Sequence, residues 1–167
     1  DERWWTATDT ATSGSTWMPP LPTLPATTRA ATPYAMPASY DCSVFLPGHY
    51  TAPITVSSGN VYFASGVYYF ESDLIISGDA NVIVGYGLTG FDHSDCADDV
   101  QVSANLLGNP GTFDIDGDGA TFVFGAAGNL VVDNSTTITG LSLRFNQRYA
   151  DVDRGGRVSI MSVNGDD

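Results

Sequence analysis

Lysine is absent from this 167-residue chain, and all six of its basic residues are Arg. They face 19 acids, 17 of them Asp, for a formal charge of −13. Nucleic acids and anionic membrane surfaces both call for basic patches, so neither is an expected partner. No apolar run approaches the ~18–20 residues of a membrane-spanning helix, so no membrane insertion of this chain is expected. Two His and two Cys are too few for a zinc site. No stretch repeats apolar residues at i, i+3, i+4 and i+7, which removes amphipathic helices from the plan. With 43% hydrophobic residues the chain nevertheless has enough apolar material for a core.

What is present divides into two compositions. Residues 1–42 read as an arm. Six of the nine Pro lie between Pro19 and Pro37, and nine of 17 Thr fall before residue 33. This low-complexity stretch favours extended, polyproline-like backbone, of the kind seen in stalks of secreted proteins. All three Trp (Trp4, Trp5 and Trp17) sit here, and Trp is costly to leave in water. The arm is therefore expected to pack on its own body or on a neighbouring subunit, with these three residues as the contact. The chain opens on Asp1, with neither an initiator Met nor a signal-like stretch, so a processed chain is expected.

Residues 43–167 read as an all-β body. Short runs rich in β-branched and aromatic residues start at Val61, Val67, Leu74 and Val82, punctuated by Gly59, Gly66, Gly78 and Gly85. A second series starts at Thr121, Asn129, Thr137 and Leu141, with a late strand at Val158–Met161. Single Gly or Ser bends between runs suit corners better than hairpin reversals. The spacing predicts a three-sided parallel β-helix, a solenoid, carrying an acidic insertion at about 86–119. The alternative is a β-sandwich, which also places short strands at close intervals. Inward positions are expected at Val61, Phe63, Val67, Tyr69, Leu74, Ile76, Val82 and Val84. In the second series they are Phe122, Phe124, Leu130, Val132, Ile138, Leu143 and Phe145.

Two resemblances enter on these motifs. Phe45-Leu46-Pro47-Gly48-His49-Tyr50, followed by Leu74-Ile75-Ile76-Ser77-Gly78 and Val82-Ile83-Val84-Gly85-Tyr86-Gly87, resembles the opening coils of pectin-lyase-like right-handed β-helices. The same Pro-Gly-x-Tyr, with Gly66-Val67-Tyr68-Tyr69-Phe70 and Gly119-Ala120-Thr121-Phe122-Val123-Phe124-Gly125, resembles cell-surface proteins of high-GC Gram-positive bacteria, some linked to Tad-type pilus assembly. The resemblance covers residues 43–145 and implies a β-helical surface protein. Its motifs are turns and core residues, so it speaks to fold more than to activity.

Ten Asp but no Glu, Arg or Lys lie between residues 72 and 143. Clustered carboxylates repel one another, and a cation relieves them. Asp114, Asp116 and Asp118, in the pattern D-x-D-x-D-G, are candidate Ca2+ ligands. Position twelve of the loop is Gly125 rather than Glu, and a plain Gly/Asp turn is the alternative. Asp92-His93-Ser94-Asp95 offers acid–base groups for attack on a polysaccharide, although loop solvation explains it as well. Cys42 and Cys96 are a candidate disulfide closing 53 intervening residues, against two free buried thiols. Asn134-Ser135-Thr136 is a glycosylation sequon, with an asparagine ladder as the structural alternative. Arg144, Arg148, Arg154 and Arg157 gather near the C-terminus, for ordinary salt pairing or for an acidic face on another subunit.

Together these readings lead to the expectation of a non-enzymatic extracellular or cell-surface subunit, pilus-like, whose partners are other copies of itself. A carbohydrate-active lyase or hydrolase, or an adhesin binding cell-surface glycans through exposed aromatics such as Tyr62, Tyr68 and Tyr86, is the alternative.

Overall fold

A computed structural model describes residues 21–36, 41–85, 113–115, 119–125, 127–133, 141–146 and 160–163. Trp4, Trp5, Trp17, Cys96, Asp116, Asp118, Asn134, Ile138 and the Asp92–Asp95 loop lie outside these residues.

The described residues form strands with almost no helix. In chain order they are β1 (Thr28–Arg29), β2 (Ser43–Phe45), β3 (Gly48–Tyr50), β4 (Ile54–Phe63), β5 (Gly66–Phe70), β6 (Leu74–Val84), β7 (Ala120–Gly125), β8 (Leu130–Val132), β9 (Ser142–Phe145) and β10 (Ile160–Val163). One sheet runs β1-β3-β5-β7-β10; the other runs β2-β4-β6-β8, with β9 also pairing β6. Every pairing between these strands is parallel. The fold is thus all-β with parallel sheets. The antiparallel hairpins of a sandwich do not occur among the described strand pairs.

From β1 to β8 consecutive strands alternate between the sheets, so each of these strands serves as the crossover for the other sheet. Ser43 lies opposite Val61, Ile54 opposite Leu74, and Val61 opposite Val82, an advance of 18 to 21 residues per step. Between β5 and β7 the advance is 54 residues, from Gly66 to Ala120, with the parallel register maintained. The additional residues therefore fall between β6 and β7 in the chain.

Parallel register stacks like on like. Phe45 and Phe63 stack at 4.9 Å between ring centroids, Tyr50 on Phe70 at 5.5 Å and Phe70 on Phe124 at 5.0 Å. Phe122 meets Phe63, Tyr68 and Phe145 edge-on. Beside the rings, Ile54, Val56, Leu74 and Ile76 complete the buried core. Each such side chain contributes about 1.5–3 kcal/mol on burial. Two hydroxyls inside this core are satisfied by carbonyls four residues back. Tyr50 Oη donates to Leu46 O at 2.6 Å, and Tyr68 Oη donates to Ala64 O at 2.7 Å and to Phe45 O at 2.9 Å.

Three inward assignments need correction, two in β5 and one in β8. In β5 the buried side chains are Tyr68 and Phe70, while Val67 and Tyr69 are half-buried on the opposite face. Val-Tyr-Tyr-Phe is apolar on both faces, so alternation alone leaves parity open. Stacking against Tyr50 and Phe124 decides it. Val132 continues the Val56–Ile76 column but is 45% exposed, because β8 is the last strand on the β2-β4-β6-β8 path. Val61, Phe63, Leu74, Ile76, Val82, Val84, Phe122 and Phe124 are buried as expected, and Leu130, Leu143 and Phe145 pack against the core.

Corners inside the long strands β4 and β6 depend on glycine. Gly78 has φ +59°, and a Cβ there would run into the Ser57 carbonyl of the corner below. Beside the corners stands a short asparagine ladder, in which Asn81 Nδ2 donates to Asn60 Oδ1 at 3.0 Å.

Candidate functional site

The outward face of β2, β4 and β6 carries a second apolar cluster, Val44, Leu46, Tyr62, Ala64 and Ile83. These residues alternate with the inward Phe45, Phe63 and Val84, as period-two geometry demands. Tyr34 and Met36 of the arm cover this face, together with Phe113 and Ile115 from the end of the insertion. Tyr34 forms an antiparallel bridge to Val44, its amide donating to Val44 O at 2.7 Å. Its ring meets Phe113 edge-on at 5.7 Å. Arm residues 28–36 therefore sit on the chain's own body. Cys42 is half-buried at the margin of the same cluster.

Arg29 joins the parts. The β1–β3 pairing sets Arg29 beside Tyr50. Its Nε donates to Pro47 O at 2.9 Å, and one terminal nitrogen donates to Phe113 O at 2.9 Å. The same nitrogen lies 3.4 Å from Asp114 Oδ2. One guanidinium thus ties β1, the β2–β3 corner and the insertion together. Gly48 makes room for it, since a Cβ there would meet the Arg29 side chain. Two charge-assisted bonds to carbonyls, in a side chain only 18% exposed, outweigh the half-exposed ion pair. The bonds are each worth about 1.5–3 kcal/mol, and the pair about 0–1 kcal/mol.

Asp114, a candidate Ca2+ ligand, has φ +60°, a left-handed conformation that Asp tolerates better than most residues. Its carboxylate faces Arg29, so a cation bound there would compete with the guanidinium. Among the described residues, no three His, Cys, Asp or Glu side chains converge as metal ligands. Asp73, another acid of the lysine-free stretch, accepts from the Asn129 amide and side chain at 3.0 and 3.1 Å and fastens the turn before β8.

On the outer face of β3, the His49 ring lies 5.0 Å from that of Tyr69. Its Nε2 is 3.1 Å from Glu71 Oε1. That nitrogen is shut off from solvent and makes no aligned hydrogen bond, so the contact is one of proximity. The His49 side chain as a whole is half-buried. Of the exposed aromatics proposed for glycan contact, Tyr62 and Tyr68 are buried; Tyr86 lies outside the described residues.

Sequence reasoning passed over Arg29 and the two buried hydroxyls. Arg29 is the only charged residue between Asp9 and Asp41, a signal in itself. The tyrosines close a repeated F-x-x-G-x-Y, at Phe45–Tyr50 and Phe63–Tyr68.

No family model matches this chain, and neither a curated protein nor a solved structure matches it. The resemblance to pectin-lyase-like and pilus-associated surface proteins rests on the quoted motifs alone.

Proposed function

We propose that this chain is an extracellular structural subunit of a cell-surface assembly or filament, a three-sided parallel β-helix joined to its neighbours through the N-terminal arm. A three-sided coil accounts for the alternation between two parallel sheets and for the advance of 18 to 21 residues per step. On that reading β2 and the second half of β4 lie on one side, β3 and β5 on the next, and the first halves of β4 and β6 on the third.

One observation carries the functional reading, the inequality of the two ends. The first end is covered by β1, Tyr34 and Met36. The last strands, β8 and β10, expose Val131, Val132, Ile160 and Val163. Terminal strands of an open sheet present unpaired backbone groups, and natural proteins pair or blunt them. Here β8 and β10 carry exposed apolar side chains, while β9, which pairs only β6, carries the exposed Arg144. A subunit contact that does not close on itself produces a fibre.

The test compares the full chain with one lacking residues 1–20, using electron microscopy and light scattering. The full chain is expected to form fibres. The truncated chain is expected to keep its strand spectrum by circular dichroism and remain monomeric. Polymerisation of the truncated chain overturns the arm's role.

A further inference from the structure

Seven Thr lie among the described residues, and they divide by place. Thr23, Thr27, Thr28 and Thr32, on the arm, are all exposed. None of these four hydroxyls takes part in a hydrogen bond of the described structure. Each stands within three residues of Pro22, Pro25 or Pro33, and residues 21–27 belong to no strand. In the body, Thr121 is buried, Thr55 is held in β4 opposite Ile75, and Thr51 lies in a corner whose carbonyl accepts from Ser72 Oγ. We infer that the four arm hydroxyls are acceptors for O-linked sugar. This rests on the extracellular placement proposed above and adds a covalent modification site to it.

The chemistry asks for a hydroxyl that a transferase can reach without dismantling the fold. Pro-rich backbone is extended and makes few internal hydrogen bonds, and Thr-rich, Pro-bearing segments are the composition of O-glycosylated stalks. In the transfer, Thr Oγ attacks the anomeric carbon of an activated sugar phosphate. The glycosidic bond forms, the bond to phosphate breaks, and the hydroxyl proton passes to a base of the transferase. The physical gain lies in the surroundings. Residues 10–28 carry no charge, and Leu21 and Leu24 stand exposed among them. Strand β1 is the first of its sheet, and natural edge strands are blunted by charges, Lys above all. This chain has no Lys, and the Arg29 guanidinium is committed to the Pro47 and Phe113 carbonyls. Sugar on Thr27 and Thr28 supplies the missing hydrophilic bulk.

Mass spectrometry of the full chain isolated from its source tests the site. Without Lys, trypsin cuts only after Arg, so residues 4–29 come away as one peptide that holds Thr23, Thr27 and Thr28, and residues 30–144 as another that holds Thr32. The first peptide should be heavier than its amino-acid sum by one or more whole sugar residues. Electron-transfer fragmentation should place sugar on at least one of Thr23, Thr27 and Thr28, and alkaline β-elimination should remove it and leave dehydrated Thr. The combined variant Thr23→Ala, Thr27→Ala, Thr28→Ala and Thr32→Ala, produced in the same source, should lose that sugar and keep its strand spectrum, since all four side chains are exposed. A peptide mass equal to the amino-acid sum overturns the inference. So does sugar confined to Thr before residue 21 or to Thr51 and Thr55, and so does added mass that survives β-elimination. Assembly is read separately: an unmodified chain that forms fibres overturns this inference and leaves the subunit reading, whereas a modified chain that stays monomeric upholds it and overturns that reading.

Discussion

The two ends of the stack are built from the same columns and finished differently. One column begins at Val56, 4% exposed, and ends at Val132, 45% exposed. Repetition cannot explain the difference, because repetition is what the two ends share. The first end is closed by residues outside the repeat, namely Thr28–Arg29, Ala31, Tyr34 and Met36. A parallel stack supplies a template at every strand and no instruction to stop. Closure at the first end comes from irregular sequence, and among the described residues of the last end the apolar column reaches solvent at Val132.

The sharpest way to test this contrast is to remove one side chain from the middle and one from the open end. Phe70 is fully buried and touches the rings of Tyr50, Tyr68, Phe122 and Phe124. Phe70→Ala should cost about 3–5 kcal/mol in urea unfolding, through lost burial and the cavity left behind. Val132→Ala, measured on the monomeric protein, should cost less than about 1 kcal/mol, because much of that side chain is already wet. Equal losses would mean that the end is as well packed as the middle. A step smaller comes the clasp at the closed end. Arg29→Ala leaves the Pro47 and Phe113 carbonyls without their donor and should cost about 1–3 kcal/mol. Asp114→Asn should cost about 0–1 kcal/mol, as the exposed half of the ion pair. If Asp114→Asn proved the more damaging, the acid would have a partner other than Arg29.

Strand content was legible because it is written in local pattern. Runs of Val, Ile, Tyr and Phe bounded by Gly announce strands. The facing of β5 was not legible. Val67, Tyr68, Tyr69 and Phe70 suit either face, and the choice is made by Tyr50 and Phe124, residues 20 and 54 positions from Phe70. Nor was the setting of Asp114, which the sequence grouped with Asp116 and Asp118. Its neighbour in space is Arg29, 85 positions away. Long-range partners are fixed by the stacking of strands, and period and composition carry no record of them.

The smallest expected effect concerns the covered end from within. Burial pushes the Tyr50 phenol well above its ordinary value, with the Arg29 charge opposing. A raised folded-state pKa means that the native protein holds this proton after the unfolded chain has released it. The contribution to stability is therefore complete below the ordinary phenol pKa of ~10 and is lost as pH climbs beyond it, by up to about 1.4 kcal/mol per pH unit. Tyr50→Phe abolishes that dependence, while leaving the Leu46 carbonyl without its donor at a cost of about 1 kcal/mol. Urea midpoints should place the variant below the wild type at pH 8 and bring the two together between pH 10 and roughly 11. Parallel curves across that interval would show that the phenol reaches solvent through the closed end, and that Arg29 and the arm cover it less tightly than their contacts indicate.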